Sequence, residues 1–160
     1  QAVYLPMGVD YRYVVSLFPS LGMNTAFIGG NANQLAFNPA SQALFGKFYT
    51  TKIDEPQRPD RLLVFVSALC EQHIALPALG KPEGFFRVDP PSFTARNWQQ
   101  AYDPETPTPG SNSGFVSCRY SRKAVAAQFD GHAQLLGWED LEDMRRWSDR
   151  AKGPNWHLGQ

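Results

Sequence analysis

Asp130-Gly131 constrains this chain more than any other pair of residues, because it separates KAVAAQF from HAQLLG, two stretches that alternate apolar and polar positions. An Asp-Gly pair at such a junction predicts a β-hairpin closed by a type I′ turn, which needs positive φ at both central residues; Asp tolerates it and Gly prefers it. The next segment, WEDLEDMRRWSDRA, places Leu141, Met144, Trp147 and Ala151 on one side at helical spacing. Glu139, Asp140, Glu142 and Asp143 crowd its first turns, and Arg145, Arg146, Arg150 and Lys152 its second half, as the helix dipole favours. Gly153-Pro154 stops it. Residues 123–151 therefore read as a hairpin running straight into an amphipathic helix within one domain.

Upstream, Arg61 to Ala68 (RLLVFVSA) is the most hydrophobic strand, apolar on both faces and so expected near the sheet centre. Further strands are expected over 9–18, with a short helix as the alternative, within 20–30, and over 48–53, 85–88 and 114–120. Asn38-Pro39 predicts an N-cap and first helical residue for a short helix through Phe45, ended by Gly46. The run YDPETPTPGSNS, 102–113, reads as an exposed loop, and Asp54 to Asp60 as a proline-broken turn. The fold class is α+β: mainly antiparallel sheet, short helices, and a C-terminal amphipathic helix after the hairpin.

Composition narrows function. At 160 residues, 42% hydrophobic, the chain can bury a core as one domain, 1–160. Its 15 basic and 15 acidic residues cancel, so the field that gathers phosphate backbones is missing and no nucleic-acid partner is expected. The longest apolar run, Leu62 to Val66, is far short of the roughly 20 residues that cross a bilayer. No secretory signal segment stands at Gln1, so the expectation is a processed export signal or a fragment of a longer precursor. Cys70 and Cys118 lack a second cysteine at zinc-ligand spacing; they read either as a disulfide or as two inert buried thiols.

The run RYSRKAVAAQFDGH, 119–132, resembles the closing motif of the bacterial pseudopilin-like H-X9-DG family. In that family a histidine stands ten positions before the Asp-Gly turn; here Tyr120 occupies the position. The segments SLGMNTAFIGG at 20–30, KIDEPQRPDRLLVFVSA at 52–68 and the one after the turn are similar in order and spacing. The resemblance implies an exported, extracytoplasmic protein with a processed N-terminal segment, a long apolar helix and an α+β globular head built on antiparallel sheet. By that resemblance this chain would correspond to the head alone. In that light Tyr120, Asp130, Gly131 and His132 form an architectural motif rather than an active site.

Other candidate chemistry is sparse. Cys70 and His73 form C-x2-H, a conceivable nucleophile and base, but no acidic residue is placed to orient the histidine. The acidic group 139–143 and Asp130 could offer oxygens to a divalent cation, yet helix periodicity spreads the former round the axis and turn formation explains the latter. Trp147 reads as core, and Trp138 as the residue joining hairpin to helix. Trp98 and Trp156, in irregular segments, are candidates for an interface. No cofactor or metal is expected. The leading expectation is a non-enzymatic structural subunit, a pilin-like head whose partners are other copies or related subunits. An exported glycan- or protein-binding module using exposed aromatics is the alternative, and a Cys70/His73 hydrolase a distant third.

Overall fold

Strand alternation and turn chemistry produce one antiparallel sheet in the order β1-β2-β3-β4, seen in a computed structural model that describes residues 12, 16, 18–30, 39–71 and 83–160. The strands are β1 (Leu21–Met23), β2 (Leu63–Ser67), β3 (Lys123–Gln128) and β4 (Ala133–Gly137). The elements that lie wholly within the described residues also include three short α-helices, α1 (Pro39–Phe45), α2 (Pro109–Ser113) and α3 (Trp138–Leu141), and a 3-10 turn at Met144–Arg146, in an α+β architecture. β2 lies inside the sheet as its composition predicts, paired with β1 through Met23 opposite Phe65 and with β3 through Val66 opposite Ala126. Helix α1 spans the expected residues, and Gly46 follows it at φ 68°.

The hairpin forms, but with a different turn from the type I′ expected at Asp130-Gly131. At Asp130-Gly131 the loop has three residues: Gln128 N–H donates to the His132 carbonyl, Gly131 N–H to the Gln128 carbonyl, and Gly131 alone has positive φ, 92°. That is the bulged three-residue loop, not the two-residue type I′ turn. The type I′ geometry belongs to the preceding turn, where Tyr120 and Lys123 exchange both backbone hydrogen bonds around Ser121 (φ 52°) and Arg122 (φ 62°). Neither residue is glycine, so this turn carries steric strain.

The amphipathic helix is broken. Asp143 sits at ψ 107°, and its carboxylate accepts from Arg145 N–H to start a separate 3-10 turn, while Met144 N–H donates to the Pro154 carbonyl. The apolar stripe survives the break, with Leu141, Met144, Trp147 and Ala151 all buried. Stripe periodicity specifies which side chains face the core, and a short acidic residue that prefers capping decides where the helix stops.

Three expected strands are reduced to isolated bridges. Residues 48–53 contribute only Thr50, beside Ile28; 85–88 only Arg87, running parallel to β1 beside Met23; 114–120 only Val116 beside Ala68 and Tyr120 beside Lys123. Proline and glycine around each segment leave too few N–H groups in phase for a ladder. The loop expected over 102–113 contains α2, whose Asn112 and Ser113 are buried. Gly114 ends α2 at φ 58°, and a Cβ there would lie 2.1 Å from the Asp89 carbonyl oxygen, so both conformation and packing require glycine. The strand expected over 9–18 lies mostly outside the described residues; Arg12 and Ser16 within it are helical, as in the alternative reading.

The inner face of the sheet packs on an aromatic core. Trp147 is fully buried, Trp98 meets it edge-on at 5.6 Å and stacks on Trp138 at 4.9 Å, and Phe27, Phe48, Phe93 and Trp156 form an adjoining cluster. Asn24 lies at the heart of this assembly with no exposed surface. Its amide Nδ2 donates to the Leu63 carbonyl at 3.0 Å and the Trp147 carbonyl at 2.9 Å, and its Oδ1 accepts from Phe27 N–H.

Asn24→Ala strands two buried carbonyls and one N–H, so a loss of about 2–4 kcal/mol is expected in urea unfolding, and Asn24→Asp, which turns a carboxylate toward two carbonyl oxygens, is expected to cost more. Conversely, Ser121→Asn with Arg122→Gly gives the type I′ turn its preferred residues and should raise stability by about 1–2 kcal/mol in the same assay.

Candidate functional site

The two faces of the sheet differ. Residues opposite one another on antiparallel strands share a face, so Leu21, Phe65, Val125, Ala127, Ala133 and Leu135 all lie on the outer one. Leu21 is 38% exposed, Phe65 40% and Leu135 52%, whereas Val66, Ala124 and Ala126 on the inner face are sealed. An apolar stripe thus crosses all four strands.

One end of the stripe is closed by Arg119. Its guanidinium donates to the carbonyls of Ala68, Glu83 and Ser20 and lies 5.5 Å from the ring centroid of the exposed Tyr120. Ser67, the one polar residue of β2 on the outer face, is buried there: its hydroxyl donates to the Ser117 carbonyl and accepts from Val125 N–H. Where β3 peels away from β2, Ser117 N–H donates to the Ser67 carbonyl and Leu69 N–H to the Phe115 carbonyl. The chain between α2 and β3 therefore extends the sheet at that end and rims the stripe.

The residues singled out in the sequence fall into different places. Tyr120 opens the strained turn, and its hydrogen bonding is to Lys123 through the main chain. Asp130 accepts from His132 N–H and from the His132 ring at 2.6 Å, which holds its carboxyl below the usual range. The pair is exposed at the hairpin tip and encloses no cleft. Asp140 pairs with Arg146, Asp143 with Arg145 and Glu142 with Arg96, so the acidic cluster is distributed among separate cations. Among the described residues no group of three or more His, Cys, Asp or Glu is placed to hold a metal ion, and no helix is long and apolar enough to cross a membrane.

One expectation is corrected and one open alternative is decided. Trp98 and Trp156 are not interface residues on the surface: they are 3% and 6% exposed, Trp98 also donating its indole N–H to the Asp89 carbonyl. Their irregular backbone placed them in loops, but large aromatics supply the core that short helices cannot. The cysteine pair is not a disulfide. Both thiols are free and buried, on chain segments that leave the Ala68–Val116 bridge in opposite directions, which separates them along the pairing axis. Burial pushes the Cys118 thiol up to about 11 and raises Cys70, the latter helped by the charge of Glu71. A thiol so protonated is a poor nucleophile. His73, its suggested base, lies outside the described residues.

A cleft of about 310 Å³ is lined by Asp89, Phe93, Thr94 and Asn97 among others, and Asp89 there lies 3.5 Å from Arg87. Elsewhere, Glu55 organises the 51–55 turn by accepting from the Thr51 and Lys52 N–H groups and pairing with Lys47; the Lys47 bond chiefly lowers its carboxyl to about 2. The turn leaves Ile53 86% exposed.

Compared with known proteins, the chain matches no family model, no curated protein and no solved structure. Sequence reasoning missed the outer stripe as a surface. Phe65 sits in a run apolar at every position, which conceals which side chains turn outward; the readable signal was Leu135, an apolar residue alternating with the buried Leu136.

Because both thiols are buried and unjoined, native protein is expected to react slowly with a thiol reagent. Two thiols per chain should be released on unfolding without reductant, and a titre of zero would restore the disulfide.

Proposed function

We propose that this chain is a non-enzymatic structural subunit: the globular head of a pilin-like or pseudopilus-like exported protein that works through contacts with other copies or related subunits. The observation that carries the reading is the apolar outer stripe, in which Leu21, Phe65 and Leu135 keep a third to a half of their surface in water on the same face of one sheet. Contiguous apolar surface of this kind marks a place where something else packs, whereas scattered exposed apolar residues do not. The resemblance of residues 119–132 to the H-X9-DG closing motif supports the same reading, and there Asp130, Gly131 and Tyr120 act as turn formers.

The mechanism is recognition by shape. Ser67 ties β2, β3 and the 117 segment together beneath the stripe, so a partner meets a surface whose backbone is already held and pays little ordering entropy. The rim formed by Arg119 and Tyr120 bounds the contact at one end.

The binding-module reading is weaker on its own terms, since Trp98 and Trp156 are in the core. Phe65→Ser combined with Leu135→Ser changes only outward-facing side chains; it is expected to leave the thermal midpoint within a few degrees and to abolish chemical cross-links between this protein and its pilin-like partners in the cells that make it. The coding sequence upstream of Gln1 is expected to specify a short basic leader and an apolar helix. A plain secretory signal there, or cross-links indifferent to the double substitution, overturns the reading.

A further inference from the structure

The four-stranded sheet treats its two edges differently. Along β1 the outer edge is occupied: Met23 N–H donates to the Phe86 carbonyl, Val88 N–H to the Met23 carbonyl, and Phe85 N–H to the Pro19 carbonyl. Along β4 it is open. The bond from Gln128 N–H to the His132 carbonyl sets the alternation in the hairpin, so Gln134 and Leu136 turn their N–H and C=O groups toward β3, and Ala133 and Leu135 turn theirs away. Among the described residues nothing pairs with the main-chain groups of Ala133 or Leu135 on that side, and both residues are exposed. Gly137 closes the edge beyond them, its N–H held by Asp140 Oδ2 at 3.2 Å.

Natural edge strands are usually guarded by a lysine, a proline, a bulge or an inward charge. β4 reads Ala-Gln-Leu-Leu-Gly and has no charged residue and no proline. Its single exposed large side chain, Leu135, also belongs to the apolar outer stripe. Open main-chain groups and apolar surface therefore coincide at one place.

We infer that β4 pairs antiparallel with β4 of a second copy of this chain, about a two-fold axis passing beside Gln134, joining two four-stranded sheets into one. The register follows from counting the open groups. With the axis at Gln134, Ala133 of each copy faces Leu135 of the other, and the two N–H and two C=O groups of each edge are all consumed in four mutual hydrogen bonds. Moving the axis to Leu135 opposes Ala133 to Gly137, whose N–H already serves Asp140, and moving it to Ala133 opposes Leu135 to Gly131 in the turn. Only the Gln134 register leaves no edge group unpaired.

Side chains agree with it. Leu135 lies beside Ala133 of the other copy on the outer face, continuing the apolar stripe across the junction. His132 faces Leu136 and Asp130 faces Trp138, so no like charges oppose each other. The two Gln134 residues form the close, non-hydrogen-bonded pair at the axis, where Cα atoms approach to about 4.5 Å and amide side chains can bond each other. This contact rests on the reading of the chain as a subunit and specifies one of its interfaces.

The test is sedimentation equilibrium of the 160-residue chain from micromolar to millimolar concentration, with a monomer–dimer equilibrium expected. Leu135→Pro deletes an N–H that points away from β3, so the fold, read by far-UV circular dichroism, should persist. Two of the four bonds vanish, which should weaken the dimer about tenfold or more. Gln134→Cys, oxidised with oxidised glutathione, should give a disulfide-linked dimer, while Leu135→Cys should not link. A chain that stays monomeric throughout overturns the pairing, as does a dimer indifferent to Leu135→Pro, linkage at Leu135→Cys in place of Gln134→Cys, or a monomer whose edge takes only an unrelated extended peptide. A monomeric chain with the expected leader encoded upstream of Gln1 refutes this pairing and leaves the subunit reading standing.

Discussion

The amide of Asn24 is the interaction on which the rest of this structure depends. It reaches the carbonyl of Leu63 in β2 and the carbonyl of Trp147, 123 residues away in sequence, while its own oxygen receives Phe27 N–H. The β1–β2 ladder, which Asn24 N–H continues to the Val64 carbonyl, is thereby joined to a C-terminal segment with which it shares no strand pairing. A buried polar group is tolerated only when its partners are present, so the same amide that stabilises the correct arrangement penalises any arrangement that separates β1 from the C-terminal segment. Among the described residues the complete helices are four to seven residues long, too short for helix packing alone to bring these segments together.

From that junction follows the asymmetry of the sheet. The C-terminal segment, held by Asn24, places Leu141, Met144 and Trp147 in the core that packs on the inner face with Trp98 stacked on Trp138 beside them. All of this mass sits on one side. Among the described residues the opposite face receives the rim from Ser117 to Tyr120, pinned by Ser67 and Arg119, and it retains apolar residues in partial contact with water. A sheet covered on one face is stable when its other face is polar; here it is not, and the functional reading grows from that departure.

The sequence was informative where one physical rule acted alone. Alternation with a central Asp-Gly located the hairpin, an unbroken apolar run located β2, and proline followed by glycine bracketed α1. It was less informative where two rules competed. Asp143 belongs to a helical stripe by periodicity and to a cap by its side chain, and the cap prevails because its carboxylate bonds both Arg145 N–H and the Arg145 guanidinium. Ser121-Arg122 carries no turn signature, yet the backbone adopts positive φ there because the chain must reverse between Tyr120 and Lys123 to deliver β3 to the sheet. Trp98 and Trp156 stand among turn-forming residues, which describe their backbone and say nothing of their side chains.

What the sequence determined by itself, then, was local: the period of each strand, the hairpin at Asp130-Gly131, the ends of α1, and the α+β class, since each depends on residues within a few positions of one another. What only the tertiary structure decided was partnership: that the cysteines stay apart, that two tryptophans lie inside, that Asn24 binds Trp147, and that one apolar face and one strand edge are left open. The reason is physical. Periodicity records whether a side chain avoids water along its own element, but which distant segment provides the cover, and which surface is left without any, depends on contacts separated by tens of residues that no local pattern encodes.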